Sequence, residues 1–412
     1  MFSKRHVVAA LEAKRDHFSA HQRQAWEERE RYQRALDAVA AMSRAELEGC
    51  LAGIPQPGAR PTAERVAGRS LVLCFRDRFG GSPSSEPSAS ESPWDNHQDA
   101  RAWAMDVLGG VTTVAADGSQ ITPQREYGIP VGAVQVGWFE NPHAPDARYV
   151  KDLRFEALAP DELAADDDAG SSFPNLRVNL RRFELECETL MACMERLRDD
   201  AGRALCFFDG SLVISFAAQM RPEYRHAYVR AVRGLLDASE ATRVPLVGYI
   251  DTSYATDLVS MLRWAAGGDD VAAAPHLSDG ALLRDAMAWG DRTEALECAR
   301  QDRLFDRGDE AQSYYHRVHL VYLKTTAANA PARLDVPAWL LEEGRLDWVL
   351  DVVRAECIVG TGYPYAIETA DAVAVITTQD RERFYRTFQE FTASLGLPLR
   401  YGRKAYSKRQ RR

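Results

Sequence analysis

The sequence predicts a mixed α/β protein, and three observations carry that reading. Three β-rich segments follow one another between residues 111 and 155, joined by short turns. From residue 176 onward, long amphipathic segments alternate with short apolar runs. The composition is that of a folded chain: of 412 residues, 46% are apolar and 27% charged, which excludes disordered, collagen-like and disulfide-scaffold proteins. No apolar run approaches the ~20 residues of a membrane-spanning helix. The N-terminal stretch, broken by Glu12 and Lys14, makes a poor signal peptide, so the chain reads as cytoplasmic. Its seven scattered cysteines then read as reduced, buried thiols.

The elements follow in order. Residues 4–48 lack Pro and Gly and are rich in Ala, Glu, Arg, Gln and Leu, which predicts a helix. Its apolar residues are sparse, so it reads as an arm lying along the domain or a partner, or as a plain surface helix. SLVLCF (70–75) reads as a short strand, and GGSPSSEPSASESP (80–93) as a flexible Ser/Pro-rich loop. Segments 111–121, 128–140 and 147–155 read as strands, and 161–170 as an acidic loop. A long helix is expected over 176–200, a strand over 203–216, a helix over 222–239 and a strand over 243–253. Helix resumes near Asp257 and again over 280–300; 314–326 alternates as a strand. Helices at 346–360, after the turn at 363, and at 382–395 close the body. Hairpin-linked strands followed by alternating helices and strands are the order of an RNase H-like core, with a mixed central sheet flanked by helices. The organisation read from this is an N-terminal helical arm (1–69), a short strand with a flexible loop (70–98), a core domain (99–398) and a basic tail (399–412).

Charge is unevenly placed. The net charge is −9, yet the last 13 residues, RYGRKAYSKRQRR, hold seven Lys and Arg and no acid. Such a tail can touch phosphates, or simply be a solvated terminus.

Two segments repeat one design. VAADGSQ and CFFDGSL each deliver a carboxylate, Asp117 and Asp209, at the end of an apolar strand. Ligands of open α/β sheets sit beyond the carboxyl ends of strands, and two carboxylates there suit a hard divalent cation. Two ordinary Asp-Gly turns are the plain alternative. The helix between them carries RRFELECETL. Glu184 and Glu188 share one face, and Glu186 points about 160° from each of them. Glu184, nearest the Arg pair, is the first candidate for a third carboxylate and Glu188 the second; a solvated acidic face is the alternative. In GTGYPYAIETADAVAVI, Glu368 and Asp371 share a helical face. Asp371 stands among small apolar residues and needs a partner if buried; exposure near the helix start is the alternative. His316 and His319, three apart on an expected strand, point to opposite faces and do not readily share an ion.

In that order, VAADGSQI, RRFELECETL, CFFDGSLVISF, VGYIDTSYATDLV and GYPYAIETADAVAVI resemble the NurA nuclease family, over roughly residues 100–380. The resemblance implies a manganese-dependent deoxyribonuclease, magnesium being the alternative metal, with single-strand endonuclease and 5′→3′ exonuclease activities. It implies a homodimer working with a HerA-type hexameric translocase in end resection for double-strand break repair. Carried over, Asp117, Asp209, Glu184 and Asp371 become catalytic metal ligands. Archaeal relatives often have a histidine where Asp371 stands, and many carry a lysine where this chain has Asp251. The arm and the Ser/Pro loop fall outside the match.

The chemistry is consistent with the charges. Phosphodiester hydrolysis builds negative charge that divalent ions stabilise, and clustered carboxylates repel one another without them. Arg181, Arg182 and the tail are candidates to guide an anionic strand. Trp138, Phe139, Tyr363 and Tyr365 are candidates to stack bases, or else core residues. Two other readings stand beside the nuclease: a non-catalytic adaptor loading a translocase on DNA, and a different RNase H-like nuclease such as a junction resolvase.

Overall fold

The structure, a computed structural model, describes residues 3–79, 94, 96–124, 127–164, 174–267, 272–301, 304–305 and 313–397. The Ser/Pro-rich stretch 80–93, residues 165–170 of the acidic loop and the basic tail 399–412 lie outside the described residues. The chain divides into two compact units, one of Met1–Asp99 with Tyr249–Glu342, the other of Ala100–Gly248 with Glu343–Arg412.

The arm, read as one helix, is three: α1 (Lys4–Glu12), α2 (Arg15–Ala40) and α3 (Arg44–Cys50). The last break has a local cause. Ser43 and Glu46 form a capping box, satisfying backbone N–H groups that a continuous helix would have paired. α1 buries nothing, and α2 buries Tyr32, Leu36 and Val39. Two short strands follow, β1 (Gly58–Pro61) and β2 (Val72–Leu73). The expected strand 70–75 is therefore two residues long and gives way to a 3₁₀ turn at Phe75–Phe79.

The second unit starts with α4 (His97–Leu108), then β3 (Thr112–Ile121), β4 (Gly132–Asn141) and β5 (Val150–Leu158). α5 (Pro160–Leu163) and α6 (Pro174–Arg196) lead to β6 (Ala204–Asp209), α7 (Pro222–Thr242) and β7 (Leu246–Ile250). β3, β4 and β5 form an antiparallel meander, while β6 runs parallel to β3 on its other side, with β7 beyond it. This mixed sheet has the strand order of an RNase H-like core. α6 packs on β3, β4 and α7. Phe183 of α6 fixes that packing, with its ring centroid 5.6 Å from Phe208 and 4.8 Å from Tyr228.

The chain then returns to the first unit with α8 (Asp257–Ala265), α9 (Asp279–Leu283), β8 (Arg292–Thr293), β9 (Leu296–Ala299), β10 (Val318–Leu323), β11 (Ala332–Pro337) and α10 (Trp339–Glu342). β1, β9, β10 and β11 pair antiparallel in that order. The helix expected over 280–300 is thus mostly turn and strand. Gly290, at φ 94°, takes a backbone conformation that ends any helix there. His316 lies in a 3₁₀ turn ahead of β10, and His319 is on the strand. α11 (Leu346–Val359), α12 (Tyr365–Ala374) and α13 (Thr378–Ser394) complete the second unit. No helix among the described residues is long and apolar enough to cross a membrane.

Candidate active site

Strand register brings the two Asp-Gly-Ser segments together. The parallel ladder between β3 and β6 ends at Ala116 opposite Phe208, so Asp117 and Asp209 are the next residue of each strand. The two segments differ locally. At Asp209 the strand ends, and Gly210, at φ 145°, turns the chain away. At Asp117 no turn follows: β3 runs on to Ile121 against β4, so this Asp sits within the strand rather than at its end.

Successive strand residues face opposite sides of a sheet, and the two sides supply different partners. On one side, Asp117 lies opposite Gly137 of β4, and Gly137 is covered closely by Val373 and Ala374 of α12. That approach sets Asp371 of α12 within hydrogen-bonding reach of the Asp117 carboxyl. On the other side, Gly118 is covered by Arg182 and Glu186 of α6. Arg182 binds the Glu186 carboxylate and donates to the Gly118 carbonyl at 3.4 Å.

The helix therefore offers Glu186, not Glu184, to the strand ends. Glu184 lies 3.6 Å from Arg181, which also binds Glu188 at 2.6 Å and Glu156 of β5 at 2.8 Å. Helical angles alone fix which side chains share a face, and packing decides which face meets the sheet. Here Arg182 and Glu186 are turned inward, and Arg181, Glu184 and Glu188 form a separate ion cluster toward β5. Two sequence signals mark Glu186: its i,i+4 spacing from Arg182, and Leu185 and Cys187 on either side, both buried.

Electrostatics single out the same group. Burial pushes the Asp117 carboxyl up to about 6, aided by the hydrogen bond with Asp371 and by the Asp209 and Asp371 charges, against a Gly118 backbone hydrogen bond. Glu186 is 5% exposed. Burial pushes it up to about 8, with Arg182 opposing and Asp117 and Asp209 adding to the rise. Asp209 is also shifted up, first by desolvation and then by Asp371, while the Tyr363 hydrogen bond opposes. It keeps an exposed face, which tempers the desolvation.

The expected DNA contacts fall in different places. Tyr363 donates its hydroxyl to Asp209 Oδ1 at 3.1 Å, so it is a partner of the carboxylate. Tyr365 is partly exposed, with its ring edge-on to Phe139 at 5.8 Å; Phe139 is buried and Trp138 half-buried. Arg181 is committed to the ion cluster and held firmly charged by Glu156 and Glu188. Glu368 is exposed on α12. Asp251 belongs to the first unit, where it lines a cavity of about 580 Å³ with Tyr254, Arg284 and Asn329.

Asp117, Asp209, Asp371 and Glu186 supply the hard oxygen donors that Mg²⁺ and Mn²⁺ favour. The raised carboxyls of Asp117, Asp209 and Glu186 are what a bound cation would relieve, so the donor chemistry fits. Among the described residues no three His, Cys, Asp or Glu stand close enough to hold one ion as they are placed, and Glu186 is engaged with Arg182.

The NurA domain model matches residues 111–376. The chain belongs to the NurA domain family. The matched span contains Asp117, Glu186, Asp209 and Asp371, and Glu184 as well. Among solved structures, the chain is similar to a crystal structure of NurA with manganese, at 9% identity and a TM-score of 0.40, over 71% of this chain and 92% of that one. It is similar to NurA bound to dAMP and manganese at 11% identity and a TM-score of 0.34, covering 65% and 85%. It is also similar to the catalytic domain of human Endonuclease V, at 14% identity and a TM-score of 0.30, covering 72% and 89%. No curated protein matches the chain.

Proposed function

We propose that this NurA-domain chain is a divalent-metal-dependent deoxyribonuclease, cutting single-stranded DNA internally and from its 5′ end. In this reading it is cytoplasmic, uses manganese or magnesium, forms a homodimer, and resects DNA ends with a HerA-type translocase during double-strand break repair. One observation carries it: the β3–β6 register sets Asp117 beside Asp209, with Asp371 and Glu186 brought in from opposite faces of the sheet.

Asp117, Asp209, Asp371 and Glu186 would hold the cation, which when bound stabilises the negative charge that develops on the phosphate. Around it, Tyr363 orients the Asp209 carboxylate through its hydroxyl. Arg182 restrains Glu186 and puts a positive charge near Asp209 that an approaching phosphate could meet. The remaining carboxylate charge repels an anionic strand, so binding of metal and of DNA support each other.

The test is cleavage of 5′- and 3′-labelled single-stranded DNA in manganese, magnesium or EDTA, with Asp209→Ala alongside. Metal-dependent products that vanish in the variant are expected, and the label pattern reports polarity. A folded wild-type protein that yields no product under either metal, alone or with its translocase, overturns the proposal and leaves the adaptor.

A further inference from the structure

β5 is the last strand of its sheet, and among the described residues no strand pairs with its outer edge. Edges of this kind are usually short, or interrupted by Pro or a bulge, because unpaired backbone invites another strand. β5 runs nine residues, VKDLRFEAL, and is exposed from Val150 through Phe155. By alternation, Tyr149, Lys151, Leu153 and Phe155 share one face, and Asp152 and Arg154 the other. Tyr149 is 62% exposed, Leu153 47% and Phe155 48%, a row of large apolar groups half in water even though Tyr149 also meets Phe139 and Phe155 meets Phe384. The Leu153 N–H donates to its neighbour's Asp152 Oδ1 at 2.8 Å, a local substitute for a ladder partner.

We propose that β5 pairs antiparallel with β5 of a second copy of this chain, in a register centred on Leu153. The strand's own chemistry selects the occupant and the register. A two-fold axis perpendicular to the sheet keeps every side chain on its own face, so it must pass through a residue. Centred on Leu153, Leu153 meets itself, Asp152 meets Arg154 twice, and Lys151 meets Phe155 twice. Opposite charges and a cation against an aromatic ring are favourable cross-strand pairs. Centred on Asp152, that carboxylate would meet itself. Centred on Arg154, Arg would meet Arg and Asp152 would meet Glu156. Like charges placed directly opposite are destabilising. The strand thus complements itself in one register and opposes its neighbours, and Leu153 would exchange its local bond to Asp152 for ladder bonds to its counterpart.

This inference gives a surface to the second copy of the functional proposal and is independent of the chemistry at Asp117. The experiment is light scattering on the full chain, eluted over a range of concentrations, for the wild type and surface variants. The wild type is expected as a dimer. Leu153→Arg and Asp152→Arg should each weaken dimerisation tenfold or more, and Arg154→Asp added to Asp152→Arg should restore it. Under a mild oxidant, Leu153→Cys should cross-link into a covalent dimer on a non-reducing gel, where the wild type and Val150→Cys do not. A dimer untouched by Leu153→Arg overturns this interface and leaves the homodimer standing. A wild type that is monomeric throughout overturns both, and neither result bears on DNA cleavage.

Discussion

Asp117 lies directly opposite Gly137 in the β3–β4 ladder, and the missing side chain at Gly137 is what lets α12 lie against the sheet. A Cβ there would stand 2.7 Å from the Ala374 backbone nitrogen and 2.7 Å from Val373 Cγ1. Helix backbone cannot give way as a flexible side chain can. Gly137→Ala should therefore push α12 outward, carrying Asp371 away from Asp117. The expected cost is about 1–3 kcal/mol of stability, read from urea unfolding, with metal-stimulated DNA cleavage reduced beyond what loss of folded protein explains. Full cleavage in a folded Gly137→Ala protein would mean that the close approach of α12 is not needed.

Glu186 and Glu184 make a matched pair for testing the site. Both are carboxylates on α6, two residues apart, yet one stands by Gly118 with Arg182 and the other by Arg181. Glu186→Gln should lower metal-dependent cleavage by about 10- to 100-fold or more, whereas Glu184→Gln should stay within about threefold because it removes only one weak contact of a half-exposed cluster. Initial rates against metal concentration separate the two. The reverse ranking would return the third carboxylate to Glu184.

What could be read in advance divides along physical lines. Asp117 and Asp209 were legible because apolar runs lead straight to them; Asp371 stood out as an acid among Ala and Val, yet on α12 it is exposed, as the plain alternative had it. Glu186 was not, because periodicity gives relative angles and only packing against β3 decides which angle points inward. Its spacing from Arg182 and its apolar neighbours hint at an inward pair, but the contact that places it, at Gly118, lies 68 residues away in sequence. Residues 280–300 mislead for a different reason. Their Ala, Leu, Glu and Arg favour helix intrinsically, but β9 gains ladder bonds to β1 and β10, and tertiary pairing outweighs weak local preference.

Glu356 tests how α12 is anchored. It is buried on α11, where it accepts hydrogen bonds from Thr113 Oγ1 at 2.7 Å and from the Ala366 N–H at 2.9 Å, with His143 Nε2 at 3.5 Å. Thr113 is on β3 and Ala366 in the first turn of α12, so one carboxylate ties strand and helix together. Glu356→Ala leaves buried donors unsatisfied, at about 1–3 kcal/mol each. A fall in the unfolding midpoint is expected, together with weaker cleavage, since α12 carries Asp371. Thr113→Val should cost less, because Ala366 keeps its acceptor. Equal losses in the two variants would place the anchor at Thr113 instead.

His319 sets a pH dependence away from the carboxylate site. It lies on β10 opposite Glu297 of β9 and Val336 of β11, is 8% exposed, and its buried Nδ1 has no hydrogen-bond partner among the described residues. Burial depresses its pKa to about 4, against an opposing pull from Glu64. The unfolded chain takes up this proton near the ordinary value of about 6.5. Between those values the unfolded state binds more protons than the folded one, so acid favours unfolding. Stability from this residue is complete above the unfolded pKa and is lost as pH falls toward 4, by up to about 3 kcal/mol. Carboxylates titrate over part of the same range, so the useful quantity is a difference between proteins. Urea midpoints at pH 7 and pH 4.5 should converge less steeply in His319→Leu than in the wild type. The wild type should lose about 2 kcal/mol more than the variant between those two conditions. Parallel pH profiles would show that the imidazole accepts its proton in the folded state as readily as in water.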